Sequence, residues 1–249
     1  MICIISLPNG EKSPFLVWVR SAFLSARNRI LFFLLLFQSL HIILKAVYVF
    51  PVQYLLILYG VIYFLPFDIF KNFFIREDSL IEWLQFLGYF FSFLFCTVIL
   101  FSKKRDRSIK QSFCWILLTL FCFYAAGEEI SWAERITSIG IDSIREINVQ
   151  GETNIHNLKG LNNYLHFSFI STGILFGWMG WKIWPNIDAL PSKKFSLFFL
   201  IVAAFYSYFD LSWITLGERI RNDQEAIEFL MSSGIFLHCY CFIKEKIIR

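Results

Sequence analysis

The chain has 249 residues, of which 57% are hydrophobic and only 17% charged, with a mean hydropathy of +0.59. That leaves too little polar surface to cover a soluble globule, so the fold class is an all-α integral membrane protein, a bundle of 6–7 transmembrane helices. The net charge of +4 sits in short basic loops and not in a basic domain, which argues for membrane lipid and a membrane protein partner or oligomer, and against nucleic acid.

Residues 1–29 carry Lys12, Arg20, Arg27 and Arg29 but no apolar core with a small-residue cleavage site. They read as a cytoplasmic or interfacial basic segment and not as a cleaved signal peptide, with 14–28 lying along the membrane surface. Residues 30–249 read as a single polytopic membrane domain. The stretch 30–66 is longer than one span needs and is interrupted by His41, Lys45 and Pro51, so it is either one broken span or two short ones. Clearer spans follow at 79–101, 111–132, 161–184, 195–216 and 226–243.

Basic residues orient them. Lys103, Lys104, Arg105, Arg107 and Lys110, the 182–194 connection, and the tail with Lys244, Lys246 and Arg249 belong on the cytoplasmic side of what reads as a bacterial inner membrane, and the C-terminus with them. The acidic stretches 76–82, 128–159 and 210–228 then share the opposite face. In the outer connection, Ser143-Ile144-Arg145-Glu146 reads as a capping box that opens a short interfacial helix, and 148–157 as a polar turn folding back over the bundle. Gly173 and Gly177 form a small-x-x-x-small pair for close helix approach. A partial echo links Glu129-Ile130-Ser131-Trp132 with Asp210-Leu211-Ser212-Trp213, explained either by repeat ancestry or by shared preferences of outer helix ends.

The focus is Gly127-Glu128-Glu129-Ile130-Ser131-Trp132-Ala133-Glu134-Arg135. On a helix begun at residue 111, Glu128 lies roughly 25 Å along, short of the roughly 30 Å of hydrocarbon, and a carboxylate at that depth marks a functional site unless it is paired. Continued helix would put Glu128, Trp132 and Arg135 on one face, with Arg135 reaching back to Glu128. The plainer reading of that pair is a structural ion pair between helices. The sharper one makes Glu128, Glu129, His156 and Asp210 a catalytic group that holds a divalent cation or acts as base, with His156 transferring a proton. Arg135, Trp132, Glu82, Asn154 and Glu218 would then contact substrate, Arg135 steadying an anionic headgroup. His166 heads a span on the same face. His238 and Cys241 share a helix face but lack a second ligand pair, and the six cysteines sit in apolar segments as small hydrophobes.

Paired glutamates followed by Arg135 resemble the first motif of the CAAX-protease and bacteriocin-processing family of intramembrane proteases, which implies proteolysis. That family has three residues between the pair and the arginine; five stand here. The Glu-Glu-Ile-Ser-Trp…Arg motif with its Asn/Glu/His-rich outer loop also resembles a family of uncharacterised bacterial polytopic membrane proteins, and that similarity implies no activity. Three functions fit the residues. They are a membrane-embedded hydrolase or transferase acting on a lipid or lipid-linked substrate, a cation or small-solute transporter, and a non-catalytic subunit that docks a partner.

Overall fold

The computed structural model describes residues 49–64, 79–102, 107–148, 151–159, 161–211 and 224–248, with the backbone alone at 61–64, 162–163, 209–211 and 248. Among the described residues the only ladder contact is an isolated bridge from Asn148 to Leu158, and the rest of the regular structure is helical. The helices are α1 (Phe50–Phe64), α2 (Leu80–Phe101), α3 (Ile109–Glu129), α4 (Glu134–Thr137), α5 (Asp142–Arg145), α6 (Asn162–Ile174), α7 (Gly180–Ile183), α8 (Ser196–Leu211) and α9 (Gln224–Ile243). Among the described residues three helical runs, Leu80–Phe101, Ile109–Glu129 and Gln224–Ile247, are long and apolar enough to cross a membrane. The protein is a helical membrane protein.

The centre of the bundle is α9. In its apolar window 72% of residues are buried, against 28% in α2 and in α3. It packs between α2 on one side and α8 on the other, while α2 pairs with α3 and α8 with α6. The outer faces of α2 and α3 show why those two are less buried. Leu87, Phe90, Leu94 and Val98 on α2, with Phe113, Leu117 and Leu120 on α3, are exposed large apolar side chains suited to lipid.

Local chemistry sets the helix ends. Ser79 Oγ accepts from Glu82 N at 3.3 Å and Ser108 Oγ from Gln111 N at 3.2 Å, each capping orphan amides of a first turn. Pro185 follows Trp184 and stops α7, since a proline cannot donate to a further turn. Within the spans, hydroxyls bond back to their own helix: Ser92 to the Gly88 carbonyl at 2.6 Å, Thr97 to Phe93 at 2.8 Å, and Thr119 to Trp115 at 2.7 Å. No buried hydroxyl of these three is left bare in an apolar layer that offers no water.

Helix α6 continues without a break through a π-helical turn, Leu175–Met179, into α7. Gly173 lets this rod close on α8, because a Cβ there would fall 2.7 Å from Ala203 Cβ. The anticipated small-residue contact is thus with α8.

The structure departs from the sequence expectation in two places. Helix α3 stops at Glu129 instead of running to residue 132, because Ser131, Trp132 and Ala133 all adopt positive φ (47°, 54° and 72°). The capping box at Ser143 is not formed either. Helix α5 begins at Asp142 with Ile141 at its N-cap and no capping side chain. The Ile141 amide instead donates to Thr153 Oγ1 at 2.8 Å, so a contact across the loop replaces the local cap.

Candidate functional site

The left-handed turn at Ser131–Ala133 builds the acidic end of the bundle. Each L-residue in that conformation costs about 1–2 kcal/mol, so three in succession cost about 3–6 kcal/mol. Two hydrogen bonds to carboxylates offset it. Ser131 Oγ donates to Glu152 Oε2 at 2.5 Å and Trp132 Nε1 to Glu128 Oε1 at 2.5 Å, each contributing about 1.5–3 kcal/mol. The turn folds Trp132 back over the end of α3, edge-on to Phe123 and Tyr124 with ring centroids 6.0 and 5.9 Å apart. Gly127 makes the space, since a Cβ there would meet the Trp132 ring at 2.9 Å.

Beyond the turn, Arg135 does not lie on a continuous helix face with Glu128. Its guanidinium bridges Glu82 Oε2 at 2.5 Å and Glu152 Oε2 at 3.1 Å, joining α2 to the 151–159 segment. Burial works against the charge of Arg135, but the two carboxylates beside it outweigh that and raise its pKa above the ordinary arginine value. Asn154, fully buried, donates to Glu152 Oε2 at 2.8 Å and to Ser131 Oγ at 3.2 Å, and its own oxygen accepts from Asn148 Nδ2 at 2.7 Å.

A second clamp holds the outer loop. Arg145 Nε donates to Glu134 Oε1 at 2.7 Å, and the Thr153 amide donates to Glu134 Oε2 at 2.6 Å. Desolvation would raise the Glu134 carboxyl, yet the hydrogen bonds from Thr153 and Arg145 prevail and lower it below the usual carboxylate value.

Glu128 is different. Its Oε2 accepts from the backbone amides of Ile155 and His156, both at 2.8 Å, and lies 3.0 Å from His156 Nδ1, while Oε1 accepts from Trp132. Three N–H donors and the ring nitrogen of His156 therefore surround one carboxylate. The His156 ring it holds lines a cavity of about 440 Å³, together with Glu82, Glu129, Arg135, Glu225 and Glu228. Aromatic rings make up much of the remaining wall: Tyr89, Phe121, Tyr124, Tyr164, Phe169 and Tyr206. Glu228 accepts from the Tyr206 hydroxyl, and Glu225 accepts from Gln85 Nε2 at 3.2 Å. On α6, Tyr164 and Ser168 line the cavity and are also exposed.

The expected site residues thus separate into groups. Glu128 and His156 are in contact, and Glu129, Glu82 and Arg135 line the same cavity. His166 lines it too. Trp132 and Asn154 do not line it; Trp132 donates to Glu128, itself part of the wall, and Asn154 to Glu152, which is not. Asp210 falls in the last turn of α8, where only the backbone is described, and Glu218 lies outside the described residues. No three His, Cys, Asp or Glu side chains are grouped to hold a metal ion among the described residues.

Sequence reasoning did not find the partners of Arg135, nor the Glu134–Arg145–Thr153 clamp. No signal marked the turn that creates both, for Ser131, Trp132 and Ala133 include no glycine. Compared with family models, with curated proteins and with solved structures, the chain matches none.

Proposed function

We propose that the acidic end is the active site of a membrane-embedded hydrolase or transferase acting on a lipid or lipid-linked substrate. In this reading His156 is the general base and Glu128 the residue that positions it. The observation that carries it is the 3.0 Å contact between His156 Nδ1 and a carboxylate whose oxygens already accept three further N–H groups. An ionised carboxylate only accepts, so the proton of that bond sits on Nδ1, and in the neutral ring the lone pair is then on Nε2. The ring is oriented before any substrate arrives. Nε2 takes the proton from a water or an acceptor hydroxyl as its oxygen attacks a carbonyl or phosphoryl centre, and gives it to the leaving group, a contribution of about 10²–10⁴ in rate.

The surroundings suit an amphiphile. Aromatic walls accept an acyl or polyprenyl segment, and the exposed Tyr164 and Ser168 of that wall face where lipid would stand. Arg135 serves the architecture in this account, since Glu82 and Glu152 already engage its guanidinium. The continuous α6–α7 rod, α8 and the 30–66 stretch would add spans to the three long helices, to a total of six or seven. The basic loops would put the C-terminus in the cytoplasm and the cavity on the outer face of a bacterial inner membrane.

A second reading, passage of a cation or small solute, is favoured by one observation: Glu82, Glu129, Glu225 and Glu228 line one cavity. Against it, α2 and α3 carry no other carboxylate toward the basic end, and α9 none after Glu228. Ile99, Leu118 and Ile235 are buried in the core there.

The test is a comparison of lipid extracts by mass spectrometry from cells expressing wild-type protein, His156→Ala, Glu128→Gln or no protein. Expected is a lipid species whose level depends on the wild-type chain and reverts with either variant at equal protein level. Extracts that are identical for wild type and His156→Ala would overturn the enzymatic reading.

A further inference from the structure

At the far end of α9 a second cavity, of about 370 Å³, lies among the 184–195 connection, the end of α7 and the last turns of α9. It is independent of the acidic site. Trp181, Trp184 and Phe242 supply aromatic walls, Lys193 and Lys194 stand at its edge, and His238 forms its buried side.

His238 is the unusual member. It is only 6% exposed, stacks on Trp115 with ring centroids 5.9 Å apart, and meets Phe195 edge-on at 5.7 Å. Its Nε2 is buried with no hydrogen-bond partner among the described residues. A buried polar atom left unsatisfied is costly, and this one lines a cavity with room for a ligand. A hydroxyl both donates and accepts, so it satisfies Nε2 in either tautomer.

Lys193 and Lys194 line the cavity with Asp188 and Glu245, and the helix ends that frame it add Lys182, Lys244 and Lys246. Lys194 pairs with Glu245 at 3.4 Å, whereas Lys193 Nζ lies over the Trp181 ring, 5.4 Å from its centroid. Tryptophans beside lysines at the end of a membrane helix mark the headgroup level, where a basic cluster attracts anionic lipid.

We propose that this pocket binds the headgroup of an anionic phospholipid bearing free hydroxyls, of the phosphatidylglycerol type, from the leaflet at the basic end. Lys193 and Lys194 hold the phosphate, a headgroup hydroxyl meets His238 Nε2, and the glycerol and first methylenes lie against Trp181, Trp184 and Phe242.

The experiment uses the full chain in detergent, with lipid retention read by native mass spectrometry. The probes are phosphatidylglycerol, phosphatidylcholine and soluble glycerol phosphate. Expected is selective retention of phosphatidylglycerol, weakened about fivefold by Lys193→Gln, by about the same again on adding Lys194→Gln, and further by His238→Phe. The lysine variants lie at the cavity edge and keep the test decisive if His238→Phe fails to fold. Equal retention of the two lipids, or unchanged retention in the double lysine variant, would overturn the proposal. So would displacement of the lipid by an equimolar amount of glycerol phosphate, which would make the occupant a soluble phosphate.

Discussion

Arg135 meets Glu82 at 2.5 Å and Glu152 at 3.1 Å with its side chain 9% exposed, whereas Glu128 meets a histidine whose side chain is 29% exposed. The first joins α2 to the 151–159 segment through Arg135 of α4, the second joins the end of α3 to the same segment, and both are built on glutamates. In the first, a permanent cation is enclosed by two anions, and its work is to hold α2 and the loop together. In the second, every donor converges on the carboxylate, and the imidazole keeps one nitrogen for something else. The difference teaches that an ionisable group in a membrane protein is read by which of its atoms remain uncommitted, and not by its depth alone.

The comparison breaks most severely at the arginine. Arg135→Ala leaves Glu82 and Glu152 facing each other without their cation, and the expected loss is about 3–5 kcal/mol, the usual result of removing one partner of a buried pair. Thermal unfolding followed by size-exclusion chromatography should show a large drop or no folded protein. Arg135→Lys, which loses the bidentate fork, should recover only part of it. A variant as stable as wild type would mean that the clamp contributes nothing.

The outer clamp should give a smaller, pH-dependent effect. The Glu134 carboxyl is lowered in the folded state by Thr153 and Arg145, so its contribution is present above the unfolded carboxylate pKa of about 4.3 and is lost as pH falls through the lower folded value. Glu134→Gln is therefore less stable than wild type at neutral pH, and the gap closes in acid. A gap that is independent of pH would show that the ionised form of Glu134 is not what matters.

The smallest effect has the opposite sign. Ala133 sits at φ 72°, a conformation that glycine adopts without a steric cost. Ala133→Gly should raise stability by about 1 kcal/mol, visible as a higher unfolding midpoint with the site unchanged. A lower midpoint would mean that the added freedom of the unfolded chain outweighs the strain relieved.

Much of the frame was legible in the sequence because apolar length and basic loops act locally. Ser79 as the start of α2, the 161–184 rod and the end of α9 at Ile243 all follow from hydropathy and capping chemistry. The contact between Glu128 and His156 joins residues 28 positions apart; the sequence offered both as candidates because both fall in the acidic stretch between two apolar segments. Illegible was the turn at Ser131–Ala133, whose conformation is imposed by Glu152 and Glu128 and not by its own residues. Without the turn, Arg135 looked like a partner for Glu128, and Trp132 and Asn154 looked available for substrate. Local pattern cannot report a strained segment that distant carboxylates hold in place.

The proposed role of Glu128 is to fix His156 with its proton on Nδ1 and, in the neutral ring, the lone pair on Nε2. It is tested most directly by ¹⁵N NMR of ring-labelled histidine in the full chain in lipid nanodiscs at neutral pH, with the His156 signals assigned by their loss in His156→Gln. Expected of the neutral ring in the wild type is the single tautomer protonated at Nδ1, and in Glu128→Gln a mixture of tautomers. A neutral wild-type ring protonated at Nε2 would overturn the proposal, as would a spectrum that Glu128→Gln leaves unchanged.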